Sequence, residues 1–308
     1  MKFFSYLFFI ISATLIAQNP NLHTEEIRIT PLIDGTLLVP DTEFPPPLAI
    51  FIAGSGPTDR NGNQPMMQNN SLRFLAEELT ERDIATFRYD KRIVKLIQNR
   101  NVDERKLRFD DFIDDAIAVL NHFKGDERFS KIYIIGHSQG SLIGMVAAQH
   151  GADGFISIAG AGQEIDDVIV DQLAKQAPGL TDSARLAFDD LRANGIALNY
   201  DSGLGSIFRA ELQPFILSWM QFDPQEEIAK LNMPVLIING DKDIQVLTDE
   251  AEILHQAKPD ATLLIIENMN HVLKEVHDMG LENQKSYNIH HLPVVPELVE
   301  AIGDFILN

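Results

Sequence analysis

The chain has 308 residues, 45% of them hydrophobic, a formal net charge of −20 and no cysteine. That length and apolar content suffice for one large α/β domain with an insertion, or for two small domains. The lack of cysteine excludes a disulfide scaffold, a thiolate metal centre and a cysteine nucleophile, and so acidic a chain repels phosphate backbones and anionic lipid, which argues against a nucleic-acid partner.

Met1 to Ala17 carries one early charge, Lys2, and then an apolar run broken only by small polar residues such as Ser5, Ser12 and Thr14. A membrane-spanning helix takes about 20 apolar residues, so the run is short for an anchor and fits an export signal. Cleavage is expected between Ala17 and Gln18, although Leu15 stands where such signals prefer a small residue. No cysteine follows, which excludes a lipoprotein anchor. The expectation is a periplasmic or secreted protein, with no stable membrane insertion after signal removal, whose folded part is residues 18–308.

Glu26 to Thr30 and Leu37 to Val39 flank Asp34-Gly35, which predicts a β-hairpin turning at that dipeptide. Pro45-Pro46-Pro47 is a stiff connector into Leu48 to Ala53, an apolar run that predicts a buried strand. The loop Gly54-Ser55-Gly56-Pro57-Thr58-Asp59-Arg60-Asn61-Gly62 leaves the carboxyl end of that strand, where open α/β sheets bind ligands. Gly54 and Gly56 permit close backbone approach, so the Ser55 N–H is a candidate donor to a reacting oxygen; an ordinary sharp turn is the other reading. Leu72, Leu75, Ala76 and Leu79 predict a helix over 71–82, with Ser71 as N-cap. Ile84 to Tyr89 predicts the next strand, which ends in Arg88-Tyr89-Asp90-Lys91-Arg92. Asp90 there binds substrate or, as the structural alternative, holds neighbouring loops through arginine or backbone contacts. Lys91 to Arg108 is charged without a period and predicts an exposed loop, and Asp110 to Phe123 returns to helical spacing.

Ile132 to Ile135 predicts a buried strand, Gly136-His137-Ser138-Gln139-Gly140 fits Gly-x-Ser-x-Gly, and Ser141 to Ala148 predicts a helix. Strand, sharp turn and helix together make this pattern a nucleophile elbow. Side chains at 136 and 140 would clash with the adjoining helix and strand, and the Gln139 N–H at the helix start can face a developing oxyanion. The His137 side chain is expected to pack away from the site.

Gly154 to Ile158 predicts another strand, after which the strand rhythm stops. Residues 163–231 read as a helical cap inserted over the sheet. Its aromatics, Phe208, Phe215, Trp219 and Phe222, either line a substrate pocket or form the cap's own core. Its acids, Asp166, Asp167, Asp171, Asp189 and Asp190, are expected on a solvated face. Pro234 to Asn239 restores the strand pattern, Gly240-Asp241-Lys242-Asp243 turns towards a helix capped by Thr248, and Ala261 to Glu267 predicts a last strand ending in Asn270-His271. Pro293 to Leu307 predicts a closing helix. His290-His291 lacks accompanying ligands at metal-binding spacing and reads as surface.

A serine hydroxyl needs an adjacent base to attack. A neutral imidazole near physiological pH supplies one, and a carboxylate fixes its tautomer. The chain order is Ser138, then an acid, then His271, the order of α/β hydrolases. In these residues the chain resembles the α/β-hydrolase superfamily over about Asp34 to Phe305. Within it, the chain is similar to the exported bacterial esterase and serine-aminopeptidase-like branch. It departs from that branch after Arg92, where the usual Gly-x-Gly-x-Ser reads Ile93-Val94-Lys95-Leu96.

The resemblance implies an α/β-hydrolase fold: a mostly parallel central sheet, helices on both faces and the cap. It places the acid on the second aspartate of Gly-x-x-Asp, here Asp243, with Asp241 as the alternative. It also implies Ser138 as nucleophile, His271 as base and the N–H groups of Ser55 and Gln139 as the oxyanion hole. No cofactor or metal is implied. The expected substrate is a small carboxylic ester cleaved through an acyl-enzyme. The same triad acting on amides or short peptides, as an acyltransferase or as a perhydrolase is the alternative, and a non-catalytic binding protein is a further one.

Overall fold

The computed structural model describes residues 22–308, so the export segment expected at 1–17 lies outside the described residues. The apolar runs fold as strands β1 (Leu22–Thr30), β2 (Ile33–Pro40), β3 (Leu48–Ile52), β4 (Ala85–Tyr89), β5 (Ile132–His137), β6 (Gly154–Ile158), β7 (Val235–Gly240) and β8 (Thr262–Ile266). They make one sheet in the order β1-β2-β4-β3-β5-β6-β7-β8. The β1–β2 and β2–β4 pairings are antiparallel and the rest are parallel. β3 to β7 are buried along their whole lengths, which is why they read as continuous apolar runs rather than alternating ones.

Helices cover both faces. They are α1 (Ser71–Thr80), α2 (Arg92–Gln98), α3 (Phe109–Phe123), α4 (Gln139–Ala148), α5 (Ile165–Gln176), α6 (Thr181–Asn194), α7 (Gly205–Phe208), α8 (Gln213–Trp219), α9 (Pro224–Ala229), α10 (Thr248–Ala257), α11 (Leu281–Ser286) and α12 (Pro296–Leu307). The pleat sorts β3 between two cores. Leu48, Ile50 and Ile52 meet Ile113 and Leu120 of α3, Met145 of α4 and Leu254 of α10 on one side. Ala49 and Phe51 meet Leu75 of α1 and Leu298 and Ile302 of α12 on the other. Successive side chains of a strand face opposite ways, so one short run serves both layers.

Four local readings are corrected. The hairpin turns at Pro31-Leu32, with Thr30 paired to Ile33, while Asp34 and Gly35 lie inside β2. Gly35 is needed there because a Cβ would run into the Phe87 ring of β4. Residues 91–108 are only in part the expected exposed loop: residues 97–103 are exposed, but Lys91 is buried and the segment holds α2 and a 3-10 turn at Glu104–Lys106. Arg92 grips Asp115 of α3 at 2.6 and 2.9 Å. Ser71 opens α1, whose cap is Asn70 in the left-handed region, and Thr248 is likewise the first helical residue, after Leu247.

Helices α5 to α9 lie between β6 and β7. Phe188, Leu191, Phe208 and Met220 are buried in a cluster of their own. Of the two expected roles, Phe208 takes the core role and Trp219, which lines the cavity beside Ser138, the pocket role, while Phe215 and Phe222 pack on α3. Phe208 packs on Phe188 with ring centroids 4.7 Å apart. Trp219 stacks on Phe109 of α3 at 5.2 Å, and Phe215 and Phe222 join it there, which seats these helices on the sheet domain. The acidic face is not wholly solvated. Asp166 is buried and accepts from Arg185 at 2.5 Å and from Arg192 at 2.9 Å. Burial raises its pKa, but the two guanidiniums outweigh burial and hold it below the usual carboxylate value. Among the described residues, no helix is long and apolar enough to cross a membrane.

Candidate active site

The turn from β5 into α4 fixes Ser138 in a strained conformation, with φ 55° and ψ −124°. Only a tightly surrounded turn holds a non-glycine residue there. The surroundings account for the flanking glycines. A Cβ on Gly136 would overlap Gly140 and Ser141 of α4, and one on Gly140 would overlap the carbonyl of Ile52 in β3. The helix therefore packs directly against the strand and lifts Ser138, half-buried, above the sheet.

Beyond β7, Asp243 is buried, and its Oδ1 accepts the N–H groups of Gln245 (2.7 Å) and Val246 (2.9 Å). Its Oδ2 lies 2.7 Å from His271 Nδ1. A carboxylate only accepts, so Nδ1 carries the proton and Nε2 presents its lone pair. Asp241 faces elsewhere: its carboxylate accepts from the Asn268 N–H at 2.6 Å and from Lys242 at 2.6 Å. Asn270 pins the His271 loop. Its carbonyl oxygen accepts the N–H groups of Val272 and Lys274, and its amide donates to Asn283 and Ser286.

The loop after β3 is also tied down. The Ser55 carbonyl accepts from the Thr58 hydroxyl at 2.8 Å and the Gln64 amide at 2.9 Å. Asp90 accepts from both the backbone and the guanidinium of Arg60, at 2.8 and 2.7 Å. That is the loop-holding alternative of its two sequence readings. Gln139 is the first residue of α4, so its N–H has no intrahelical acceptor.

Ser55 and Ser138 line two neighbouring cavities. The first, of about 250 Å³, has Gln139, Leu142, Ile165, Val168, Ile169 and Trp219 among its walls. The second, of about 190 Å³, contains His271 with Thr58, Gln64, Met67 and Leu72. Gln245 borders both. Among the described residues, neither lining includes Asp, Glu, Lys or Arg.

Two buried groups beside the site escaped the sequence reading. His137 does not pack away from the site. Its Nε2 lies 2.8 Å from the His271 carbonyl, and the two rings are 4.9 Å apart. The carbonyl only accepts, so His137 Nε2–H donates. Burial, reinforced by any charge on His271, pushes the imidazole down to about 4 and keeps it neutral. Lys91 is 3% exposed, and its Nζ donates to the Gly54 carbonyl and to Gln139 Oε1, both at 2.7 Å. Burial lowers its pKa to about 7, with Asp115 opposing the shift. The local hint of Lys91's burial is its place two residues after a buried strand. His290 and His291 are exposed.

A mostly parallel eight-stranded sheet clad on both faces, with a serine on a strained strand-to-helix turn and an aspartate–histidine pair on later loops, defines an α/β hydrolase. The chain belongs to the family described as Serine aminopeptidase, S33, whose profile matches residues 69–275 and so includes Ser138, Asp243 and His271. Esterase EstD of Thermotoga maritima is 25% identical over 259 residues, which cover 78% of this chain and 58% of that relative. Among solved structures, Est1E from Butyrivibrio proteoclasticus superposes with a TM-score of 0.58 at 18% identity, over 92% of this chain and 97% of its own. A dienelactone hydrolase from Anabaena variabilis reaches 0.53 at 15% identity, over 92% and 94%. These two likenesses are of fold.

Proposed function

We propose that the protein is a serine hydrolase that cleaves small carboxylic esters through an acyl-enzyme. The observation that carries this reading is the buried 2.7 Å contact of Asp243 with His271, which itself lines one cavity with Ser138. Ser138 Oγ attacks the carbonyl carbon, and its proton passes to His271 Nε2. Asp243 stabilises the imidazolium that results. The Ser55 and Gln139 N–H groups bind the oxyanion, each worth about 3–4 kcal/mol in the transition state. The imidazolium then protonates the leaving alcohol. Finally His271 activates water, which releases the acid and regenerates Ser138.

The cavity linings favour esters over aminopeptidase substrates. Holding a free α-ammonium calls for a carboxylate, and the two linings offer glutamines, serines, histidines and apolar side chains. The name of the Thermotoga maritima relative agrees with that preference. Export is part of the proposal, supported by the apolar run of residues 3–17; cell fractionation and N-terminal sequencing check it, with Gln18 as the expected first residue. Ser138→Ala is expected to lower turnover of p-nitrophenyl butyrate by about 10⁴-fold or more without a change in melting temperature. Full activity in that variant, or faster turnover of aminoacyl-anilides than of acyl esters by the wild type, would refute the assignment.

A further inference from the structure

We propose that Lys91 is the positioning residue of the oxyanion hole, its ammonium joining the loop that carries Ser55 to the helix start that carries Gln139. This rests on the reading above, in which those two N–H groups bind the oxyanion.

The argument begins with the peptide group. The Gly54 carbonyl and the Ser55 N–H belong to one planar, trans unit, in which C=O and N–H point opposite ways. Lys91 Nζ holds that carbonyl at 2.7 Å. The bond fixes the plane of the unit and hence the direction of the Ser55 N–H. It also polarises the amide, which makes the N–H a stronger donor. The second bond, also 2.7 Å, runs to Oε1 of Gln139. One buried lysine therefore ties together the two elements that carry the oxyanion donors, the loop after β3 and the start of α4.

Structural roles alone do not explain this ammonium. Among the described residues it has no carboxylate partner in hydrogen-bonding contact, and the nearby Asp115 is bound by Arg92. Its remaining close contact is the Phe112 ring, 4.7 Å to the centroid. Burying an unpaired charge is costly, and a methionine would fill the same apolar slot. The two acceptors it does have are the two elements that an oxyanion hole must hold in register.

The test compares wild type with Lys91→Met, which removes the donor and keeps the length. Turnover of wild type and Ser138→Ala is measured first. Then kcat of Lys91→Met on p-nitrophenyl butyrate is expected to fall about 10- to 100-fold, the cost of a misplaced oxyanion donor. KM is expected to stay within about threefold, because the ground-state ester does not depend on the hole. Inhibition by phenylboronic acid, whose tetrahedral adduct occupies the hole, is expected to weaken by the same factor as kcat. Gln139→Met removes one arm, and the double variant is expected to be no slower than Lys91→Met alone.

The chain has no cysteine, so Lys91→Cys can be alkylated at one site. Aminoethylation, which restores an ammonium, is expected to recover activity, whereas propylation to the same length is not. Lys91→Met with wild-type kcat, or with its loss confined to KM, overturns the proposal and leaves the ester reading intact. Should that variant not fold, Gln139→Met decides: an unchanged kcat overturns the proposal, and a drop at constant KM supports it. An inert wild type, indistinguishable from Ser138→Ala, overturns both readings.

Discussion

Replacing Asp243 with asparagine should disable the site while barely disturbing its shape. Oδ1 accepts two backbone N–H groups and Oδ2 faces His271 Nδ1 at 2.7 Å. An amide has only one oxygen. Placed at the Oδ1 position, that oxygen keeps both backbone bonds and turns the NH₂ towards His271. The opposite placement leaves two donors unsatisfied, at about 1–3 kcal/mol each, so the first wins. Nδ1 must then accept, which moves the ring proton to Nε2. An imidazole protonated at Nε2 cannot take the Ser138 proton. Loss of the correct tautomer in a serine triad costs about 10⁴-fold in kcat, or about 5.5 kcal/mol. Asp241→Asn is the matched control. It keeps the Asn268 contact and gives up only the partly exposed pair with Lys242, so it should stay within about threefold of wild type. Turnover of p-nitrophenyl butyrate, with melting curves in parallel, reads both. Asp243→Asn retaining more than a tenth of wild-type kcat would refute the tautomer argument, and so would Asp241→Asn falling as far.

Three further outcomes are expected. Ile169→Phe narrows the cavity of about 250 Å³ and should lower kcat/KM for long acyl esters about tenfold relative to acetate, read on an ester series. Asp166→Asn leaves Arg185 and Arg192 without their shared carboxylate; with both guanidiniums partly exposed, the cost should be about 1–2 kcal/mol, seen in the melting temperature and as faster proteolysis within residues 163–231. His137 has its pKa depressed to about 4 in the folded state, against about 6.5 unfolded. Its contribution is therefore fully present above pH 6.5 and is lost as pH falls towards 4, up to about 3 kcal/mol. His137→Asn should flatten the melting temperature against pH in that window, and an unchanged slope would contradict the assigned burial effect.

What could be read along the chain was what adjacent residues determine. Residues 132–148 carry strand, turn and helix within one continuous stretch, so the elbow was legible, and Asp243 and His271 each follow an apolar strand. The errors share another cause. Gly35 looked like a turn residue, but its reason is the Phe87 ring on another strand. Lys91 looked solvated, but its partners lie 37 and 48 residues away. Asp166 looked like one more surface acid, but Arg185 and Arg192 reach it from the next helix. A polar residue's burial depends on whether distant groups satisfy it, and a local pattern does not contain that information. The expected departure after Arg92 has a structural counterpart: Arg92, Ile93, Val94 and Lys95 open α2 in place of a glycine-rich turn.

Strand order separates the proposed specificity role of the helical insertion from the proposed chemistry. Sheet neighbours run β5, β6, β7, β8. The serine follows β5, the aspartate follows β7 and the histidine follows β8, so β6 ends between nucleophile and acid. A segment inserted after β6 must rise between them and roof the serine. Ala161, Gln163 and Ile165, three to seven residues past the end of that strand, already line the Ser138 cavity together with Trp219 from α8. The catalytic loops are fixed from below by buried strands, and the roof rests on a separate cluster of its own. Sequence change in α5 and α8 is therefore expected to reshape the cavity beside Ser138 while leaving the Asp243–His271 distance untouched. Cavity substitutions such as Ile169→Phe should accordingly alter which ester is preferred and leave fluorophosphonate labelling of Ser138 at the wild-type rate, whereas changes at Lys91 should slow labelling and turnover together.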